Sequence, residues 1–145
     1  MIDPDILLAH FESRILELAI PGTGARSVNT GGEPFSPAGK ELRFELAAAP
    51  DEAAMPTERT ERRYWTVTVT VSFPPGIGLA RGYAAACRIA SLYVPFDPRR
   101  GGFAIGKSRF YADDVALQPC RADAGAIRIP VRFRLLAVSP FRTEE

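Results

Sequence analysis

A row of arginines near the end of the chain is the group of residues whose type and spacing best suit a chemical role. The row, called the arginine ridge below, consists of Arg128, Arg132 and Arg134. Side chains two or four residues apart on a strand lie on one face of a sheet, so the ridge lines up three positive charges. Two interpretations remain open. The ridge is either a solvated face balanced by Glu41, Glu45 or Asp114, or a surface for an acidic neighbour or a nucleic acid backbone.

Other residue types that often serve in catalysis are present, but they do not form a catalytic set. His10 is the only histidine. With no second imidazole to share a metal, we interpret it as a partly exposed helix residue. Cys87 and Cys120 lack a C-x-x-C spacing and are expected to be small core residues in a reducing compartment. Asp113 and Asp114 are adjacent, and neighbouring side chains in a strand point to opposite faces. We therefore predict that the protein is not an enzyme and holds no metal or cofactor.

One strand in the middle of the chain organises the predicted fold. From Trp65 to Phe73 every second residue is Trp, Val or Phe, while the alternate positions from Tyr64 to Ser72 carry a hydroxyl group. This period of two predicts a strand with one core face and one face toward water. The sheet that contains it should be largely antiparallel and covered mainly on one side.

Two helices are predicted to cover the core face of that strand. The first begins after Asp3, which can cap it, and its apolar residues recur at three- and four-residue steps. The second begins after a turn of prolines and glycines. Its predicted apolar stripe consists of Leu79, Tyr83, Ala86, Ile89, Ala90 and Tyr93. Small residues such as Gly82 and Ala85 would let this helix lie close to the preceding strand.

Alternating residues predict three further strands, at 41–48, 114–119 and 127–135, with a less regular approach before the second. A short edge strand or an extended connection is expected at 103–107, and a turn at 121–125. Pro130 has no N–H to donate, which indicates that the neighbour of the last strand is interrupted or absent on one side. The predicted fold class is α+β, with a mostly antiparallel sheet of about four strands and both helices packed on one face.

Two loops are predicted between these elements. Residues 22–40 are rich in glycine and proline and predict a long irregular loop, in which Phe35 stands between Pro34 and Pro37. Phe35 is either an anchor to the domain or a contact offered to a partner. Residues 49–61, which include Glu58 and Arg59, are polar and charged. They predict a loop that projects beyond the sheet, and loops of that length often serve binding.

Length and composition suit one domain that spans residues 1–145. The net charge of +1 predicts no general affinity for polyanions. The acidic start of the chain, with Asp3 and Asp5, is unlike a signal peptide, and no apolar run is long enough to cross a bilayer. We expect a soluble, cytoplasmic protein without membrane contact.

The order of these elements resembles the tail terminator, or tail completion, proteins of long-tailed bacteriophages and of prophage-derived gene-transfer agents. The resemblance spans nearly the whole chain and is one of pattern and order. It is carried by Pro34-Phe35-Ser36-Pro37 with Leu42-Arg43-Phe44, by the stretch from Thr66 to Gly78, and by Ala126-Ile127-Arg128-Ile129-Pro130-Val131-Arg132-Phe133. The charged stretch from Asp51 to Arg63 departs from the usual pattern and leaves its partner open.

The resemblance implies a structural protein of the virion tail that is assembled in the bacterial cytoplasm. It implies a homo-oligomeric ring, a hexamer, that caps the tail tube, ends its polymerisation and joins the tail to the head connector. DNA would pass through the lumen without sequence-specific binding. The interface or lumen candidates are then Arg128, Arg132, Arg134, Arg99, Arg100, Phe35, Glu58 and Arg59.

Two other functions remain open. One is another head-tail connector or a minor tail subunit, which the sequence separates poorly from a terminator. The other is a small nucleic-acid-binding module that uses the arginine ridge. This module would lack aromatic residues on the face of the ridge, where stacking platforms normally interleave them with basic residues.

Overall fold

The computed structural model of the chain describes residues 3–18, 20, 28–29, 42–53, 60–74, 76, 78–123 and 125–140. These residues form two helices and seven strands. The helices are α1 (Pro4–Glu17) and α2 (Leu79–Ala90). The strands are β1 (Val28–Asn29), β2 (Arg43–Ala53), β3 (Thr60–Phe73), β4 (Gly102–Ile105), β5 (Ser108–Leu117), β6 (Arg121–Asp123) and β7 (Ala126–Pro140).

The strands join one sheet in the order β1-β2-β3-β7-β5-β4, and β6 pairs with the start of β7. Every pairing in the described residues is antiparallel except that of β1 with β2. The α+β class and the mostly antiparallel sheet are therefore confirmed, but the predicted number of about four strands is too low. Of the two alternatives for 103–107, the short edge strand is confirmed by β4. The strands β1 and β6 have only two and three residues, too few for an alternating pattern to identify them.

The core lies between one face of the sheet and the two helices. Trp65, Val67 and Phe73 of β3 are at most 1% exposed. Phe11 of α1 meets Phe133 of β7, with ring centroids 5.2 Å apart. The second helix lies against the same face, because a Cβ added at its Gly82 would overlap the Phe73 ring. Both helices thus cover the apolar face of the central strand, as predicted.

The start of α1 agrees with the sequence, and the apolar stripe of α2 agrees in most positions. Asp3 caps α1, because its Oδ1 accepts a hydrogen bond from the N–H of Asp5 at 2.9 Å. In α2 the predicted Ala86, Ile89 and Tyr93 are buried and Tyr83 and Ala90 pack against the core, but Leu79 is 47% exposed. Gly82 and Ala85 are buried as well, so the helix lies close to the strand through its small residues, as predicted.

The predicted loop at 49–61 is strand in its described residues, and the predicted loop at 22–40 contains the short strand β1. Strand β2 continues to Ala53 and β3 begins at Thr60, with a register shift after Pro50, so much of the predicted 49–61 loop is strand. Pairing with a long neighbour overrides the weak strand preference of this polar stretch. Glu58 and Arg59 lie outside the described residues. Of the 22–40 loop only β1 is described, and Phe35 lies outside as well.

The stretch from 108 to 117 is a single strand, so the predicted strand at 114–119 with a less regular approach is wrong in extent. Between Ala112 and Asp114 the register of β5 on β7 shifts by one residue. This β-bulge interrupts the alternation, which explains why the sequence shows no single period there.

The end of the sheet confirms the interpretation of Pro130. Strand β5 ends opposite Val131, and β6 begins opposite Arg128, so this neighbour of β7 is interrupted at Pro130. The carbonyl of Pro130 accepts the N–H of Gln118 at 2.8 Å. The predicted turn at 121–125 is in part the strand β6, because β6 pairs with β7 as far as Ala126, the first residue of β7.

Candidate functional site

The arginine ridge lies on β7, on the side of the sheet opposite the helices, here called the outer face. Three residues of β3 stand opposite the three arginines in the strand register. They are Ser72, Thr68 and Thr66, which belong to the row of hydroxyl residues. Thr66 and Thr68 are half-buried. Ser72 is fully buried, contrary to the prediction that it meets water, because Glu45 and Arg128 lie over it.

Every arginine of the ridge is paired with a carboxylate of another strand. The nitrogen-to-oxygen distances are 2.8 Å for Arg128–Glu45, 3.4 Å for Arg132–Asp114 and 3.5 Å for Arg134–Asp113. Glu45 and Asp114 are two of the partners expected for a charge-balanced face, and Glu41 lies outside the described residues. The ridge therefore carries little net charge despite its three arginines.

The three pairs differ in burial. The side chains of Arg128 and Glu45 are 13% and 25% exposed, and Glu45 also accepts a hydrogen bond from the Ser72 hydroxyl at 3.3 Å. Arg132 and Arg134 are about half exposed. Solvent screens exposed pairs strongly, so the loss of one partner should cost most stability at the Arg128–Glu45 pair, where it leaves a largely buried charge.

The bulge in β5 explains how two adjacent aspartates serve the same ridge. Asp113 is the extra residue of the bulge, and both it and Asp114 reach arginines on the outer face. The prediction that they point to opposite faces is wrong, because it assumes an uninterrupted strand.

The outer face also carries aromatic side chains, which the sequence interpretation did not expect. The guanidinium of Arg134 lies 4.2 Å from the centroid of the Tyr64 ring, in cation-π geometry. Tyr111 on β5 is 47% exposed and stands opposite Leu136 of β7. Tyr64 belongs to the row of hydroxyl residues on β3, and it is the member of that row that also brings an aromatic ring to the outer face.

A second group of basic residues lies at the β4 edge of the sheet. This group, called the edge patch below, consists of Phe96, Arg99, Arg100, Lys107, Arg109 and Tyr111, all of which are exposed. Several of these residues line a groove of about 480 Å³ beside β4. The sequence singled out only Arg99 and Arg100.

The turn after α2 holds the arginines of the edge patch in place. Asp97 Oδ1 accepts the backbone N–H groups of Arg99 and Arg100, each at 2.8 Å. These two hydrogen bonds lower the pKa of Asp97, because they stabilise its carboxylate form. Arg100 also donates from Nη2 to the carbonyl of Ser91 at 2.5 Å.

Phe96 is the most exposed large apolar residue of the described chain. It is 85% exposed and has a φ of 65°, which other non-glycine residues of the described chain do not share. One signal in the sequence points to it: Phe96 lies between Pro95 and Pro98, as Phe35 lies between Pro34 and Pro37.

His10 connects α1 to the inner side of the β4 edge. Its Nε2 lies 2.6 Å from the Tyr93 hydroxyl, and its ring stacks on Phe103 with centroids 4.1 Å apart. Burial lowers the pKa of His10, with a further contribution from Arg14. Burial raises the pKa of Tyr93 to about 12, so Tyr93 keeps its proton and its hydroxyl shares a hydrogen bond with His10. The sequence interpretation of a partly exposed helix residue misses this role.

The remaining residues of catalytic type do not come together. Cys87 is exposed and Cys120 is half-buried, and both are free, so the assignment of Cys87 to the core is wrong. Cys87 lies on the side of α2 opposite the buried Gly82, Ala85 and Ile89, outside the predicted apolar stripe. Among the described residues, no three His, Cys, Asp or Glu side chains are grouped so that they could hold a metal ion. Within the same residues, no helix has the length and apolar character needed to cross a membrane.

Comparisons with known proteins relate the chain to others by fold. No protein-family model matches it, and a search of curated proteins gave no match. One matching solved structure, which bears no functional name, is 21% identical with a TM-score of 0.61 and covers 99% of this chain and 100% of its own. Another belongs to the virion of a native gene transfer agent particle. It is 15% identical with a TM-score of 0.59, over 92% of this chain and 95% of that chain. At these identities the likeness shows a shared fold.

Proposed function

We propose that the protein is a structural subunit of a phage-like particle, and specifically its tail terminator. The observation that carries the proposal is the fold shared with a chain of a gene transfer agent virion over 92% of this chain and 95% of that one. Because the likeness spans both chains almost entirely, it relates whole subunits rather than a common module. The order of elements in the sequence points independently to the same class of protein.

As a terminator, the protein forms a homo-oligomeric ring, a hexamer, on the tail tube. The ring ends polymerisation of the tube protein and offers its other side to the head connector. The protein works through surfaces rather than through an active site, as part of the virion tail. Contacts between unlike surfaces of neighbouring copies close into a ring around a rotation axis.

The arginine ridge suits the lumen of such a ring. Its guanidinium groups are balanced by Glu45, Asp113 and Asp114. A charge-balanced wall has little attraction for phosphates, because affinity for DNA follows the number of free positive charges that release counterions. Such a wall would let DNA pass without holding it.

The same fold likeness supports a second candidate, another head-tail connector or a minor tail subunit, because the matched chain belongs to a whole virion. The two roles differ in what their loss does to the tail. A terminator controls tube length, whereas a connector acts only after the tube is complete.

Deletion of the gene in the strain that produces the particle separates these roles. Electron microscopy of the lysate should show tail tubes of irregular length and heads without tails, with both defects corrected by the wild-type gene. Tubes of normal length that fail to join heads would assign the protein to the connector instead. Normal, joined particles would contradict both candidates.

A further inference from the structure

Exposed apolar residues of the described chain gather mainly in two places. The large ones that are more than a third exposed are Ile6, Leu16, Leu79, Phe96, Tyr111 and Leu117. Ile6 and Leu16 lie on α1, and Phe96 and Tyr111 belong to the edge patch. Concentrations of exposed apolar side chains mark sites of protein contact more often than scattered ones do.

The outward side of α1 is apolar and acidic. On a period of 3.6 residues its exposed residues fall within an arc of roughly 120°. This acidic stripe consists of Asp5, Ile6, Ala9, Ser13, Leu16 and Glu17, all of which are exposed. The segment from 3 to 17 has four acids and one arginine, and that arginine, Arg14, is paired with Glu17 at 3.0 Å. The free negative charge of this side of the helix therefore lies toward its start, at Asp5.

The edge patch has the opposite charge. Its four basic residues stand against one acid, Asp97, whose carboxylate is occupied by two backbone N–H groups. Among the described residues, Arg99, Lys107 and Arg109 form no ion pair. The free charge of this patch therefore remains available to an acidic partner.

The backbone conformation at Phe96 keeps this side chain exposed to solvent. A φ of 65° disfavours a phenylalanine and persists only where the surroundings enforce it. Here the enforcement comes from hydrogen bonds that close the turn. The N–H of Val94 donates to Arg100 O at 2.9 Å, and the N–H of Gly101 donates to Asp97 O at 2.9 Å. The strain keeps an apolar side chain in water, where it gains nothing in an isolated subunit.

We propose that the acidic stripe of α1 in one copy docks against the edge patch of the next copy, with Phe96 as the central apolar contact. The inference rests on the ring of the proposed function and names its two contacting surfaces. Opposite charges and exposed apolar residues on both sides carry it. Because the surfaces differ, each copy offers one to either neighbour, as a ring requires.

A protein partner fits the edge patch better than a nucleic acid does. Phe96 and Tyr111 line the groove beside β4, together with the small, exposed Ala104 of β4. Apolar side chains of a helix seat in such a groove, while surrounding charges fix its orientation. A site for phosphate would need only the arginines.

Two variants that each destroy one surface provide the test. Phe96→Asn removes the aromatic contact, and asparagine tolerates positive φ, so the turn should fold. Ile6→Lys with Leu16→Lys reverses the character of the acidic stripe at exposed helix positions. Leu117→Thr, which alters an exposed leucine outside both surfaces, is the matched control.

Light scattering on the purified proteins reports the mass of each. The wild type and the Leu117→Thr control should form closed rings, and each surface variant alone should be monomeric. An equimolar mixture of the two variants should give a dimer and nothing larger, because one intact interface remains between unlike copies.

Rings that survive Phe96→Asn would overturn the inference while leaving the proposed function intact. A wild type that stays monomeric would contradict both the docking and the ring. A mixture of the variants that stays monomeric would show that the two surfaces do not meet. If the wild type stays monomeric and retains duplex DNA through Arg99 and Arg100, the partner of the edge patch is a nucleic acid and not a second copy of the chain.

Discussion

The arginine ridge and the edge patch are both basic in sequence, yet they differ in free charge. In the ridge every guanidinium lies within 3.5 Å of a carboxylate from another strand. In the edge patch, Arg99, Lys107 and Arg109 have no carboxylate partner among the described residues. The difference follows from position. Carboxylates of β2 and β5 lie within reach of the ridge on the outer face of the sheet, whereas the turns that carry Arg99 and Lys107, and Arg109 beside the edge strand, face solvent.

The largest expected difference between the two regions is in stability. Glu45→Ala removes the partner of Arg128, whose side chain is 13% exposed, and one partner of the buried Ser72. An uncompensated, largely buried charge should lower the free energy of unfolding by about 2 kcal/mol. Urea unfolding measures the change.

Arg109→Ala in the edge patch is the control for that loss. Arg109 is exposed and has no ion pair in the described residues, so its removal should change stability by no more than about 0.5 kcal/mol. Equal losses of stability in Glu45→Ala and Arg109→Ala would contradict the distinction between the paired arginine ridge and the unpaired edge patch.

Removing the acids of the ridge should convert it into a free basic surface. Asp113→Asn with Asp114→Asn leaves Arg132 and Arg134 without their carboxylates. Affinity for duplex DNA at low salt should rise roughly tenfold. The slope of the logarithm of affinity against the logarithm of salt concentration should become steeper by about 2. Fluorescence anisotropy with labelled DNA measures both.

Asp51→Asn with Glu12→Gln changes the net charge equally but leaves the ridge paired, and it should not gain DNA affinity. An equal gain in this control would attribute the effect to net charge. No gain in either variant would show that the acids of the ridge do not mask its arginines.

Phe96→Asn should stabilise the edge patch while it disrupts docking. Asparagine adopts a φ near 65° at lower cost than phenylalanine, so the free energy of unfolding should rise by roughly 1 kcal/mol. The comparison is made in the Ile6→Lys, Leu16→Lys background, where neither protein assembles. A loss of stability there would mean that Phe96 contributes to the fold of the subunit.

Acid should weaken the β4 edge before the centre of the sheet. The folded pKa of His10 is lowered from the ordinary 6.5, mainly by burial and then by Arg14, while Glu17 opposes the shift. The unfolded chain therefore binds a proton more readily, so stability falls as the pH drops below about 6.5.

Hydrogen exchange at two pH values locates that effect. His10 stacks on Phe103 of β4. The amides of β4 should therefore be less protected against exchange at pH 5 than at pH 7, compared with the amides of β3. His10→Gln should remove this local dependence. Uniform changes over the sheet would show that His10 does not act on the edge.

Much of the fold could be predicted because its signals are local. The alternation from Trp65 to Phe73 and the cap at Asp3 each depend on a few consecutive residues. The bulge at Asp113 and the exposure of Leu79 at the start of α2 depend on contacts between elements, which a single sequence does not show. The pairing of the ridge was foreseen for Glu45 and Asp114 but not for Asp113, for the same reason.

The edge patch was foreseen only in part. Arg99 and Arg100 stood out as adjacent charges, but Lys107, Arg109 and Tyr111 join them only when β4 and β5 pair. The exposure of Phe96 follows from the closed turn around Asp97. An aromatic residue between prolines was the one local signal.

The mass of the purified wild-type protein in solution tests the central claim, that this subunit acts by assembling with copies of itself. Multi-angle light scattering over a wide range of concentrations gives that mass directly. The account predicts one closed species, six times the 15.8 kDa of the chain, that does not grow further with concentration. A mass of one chain at every concentration would contradict it.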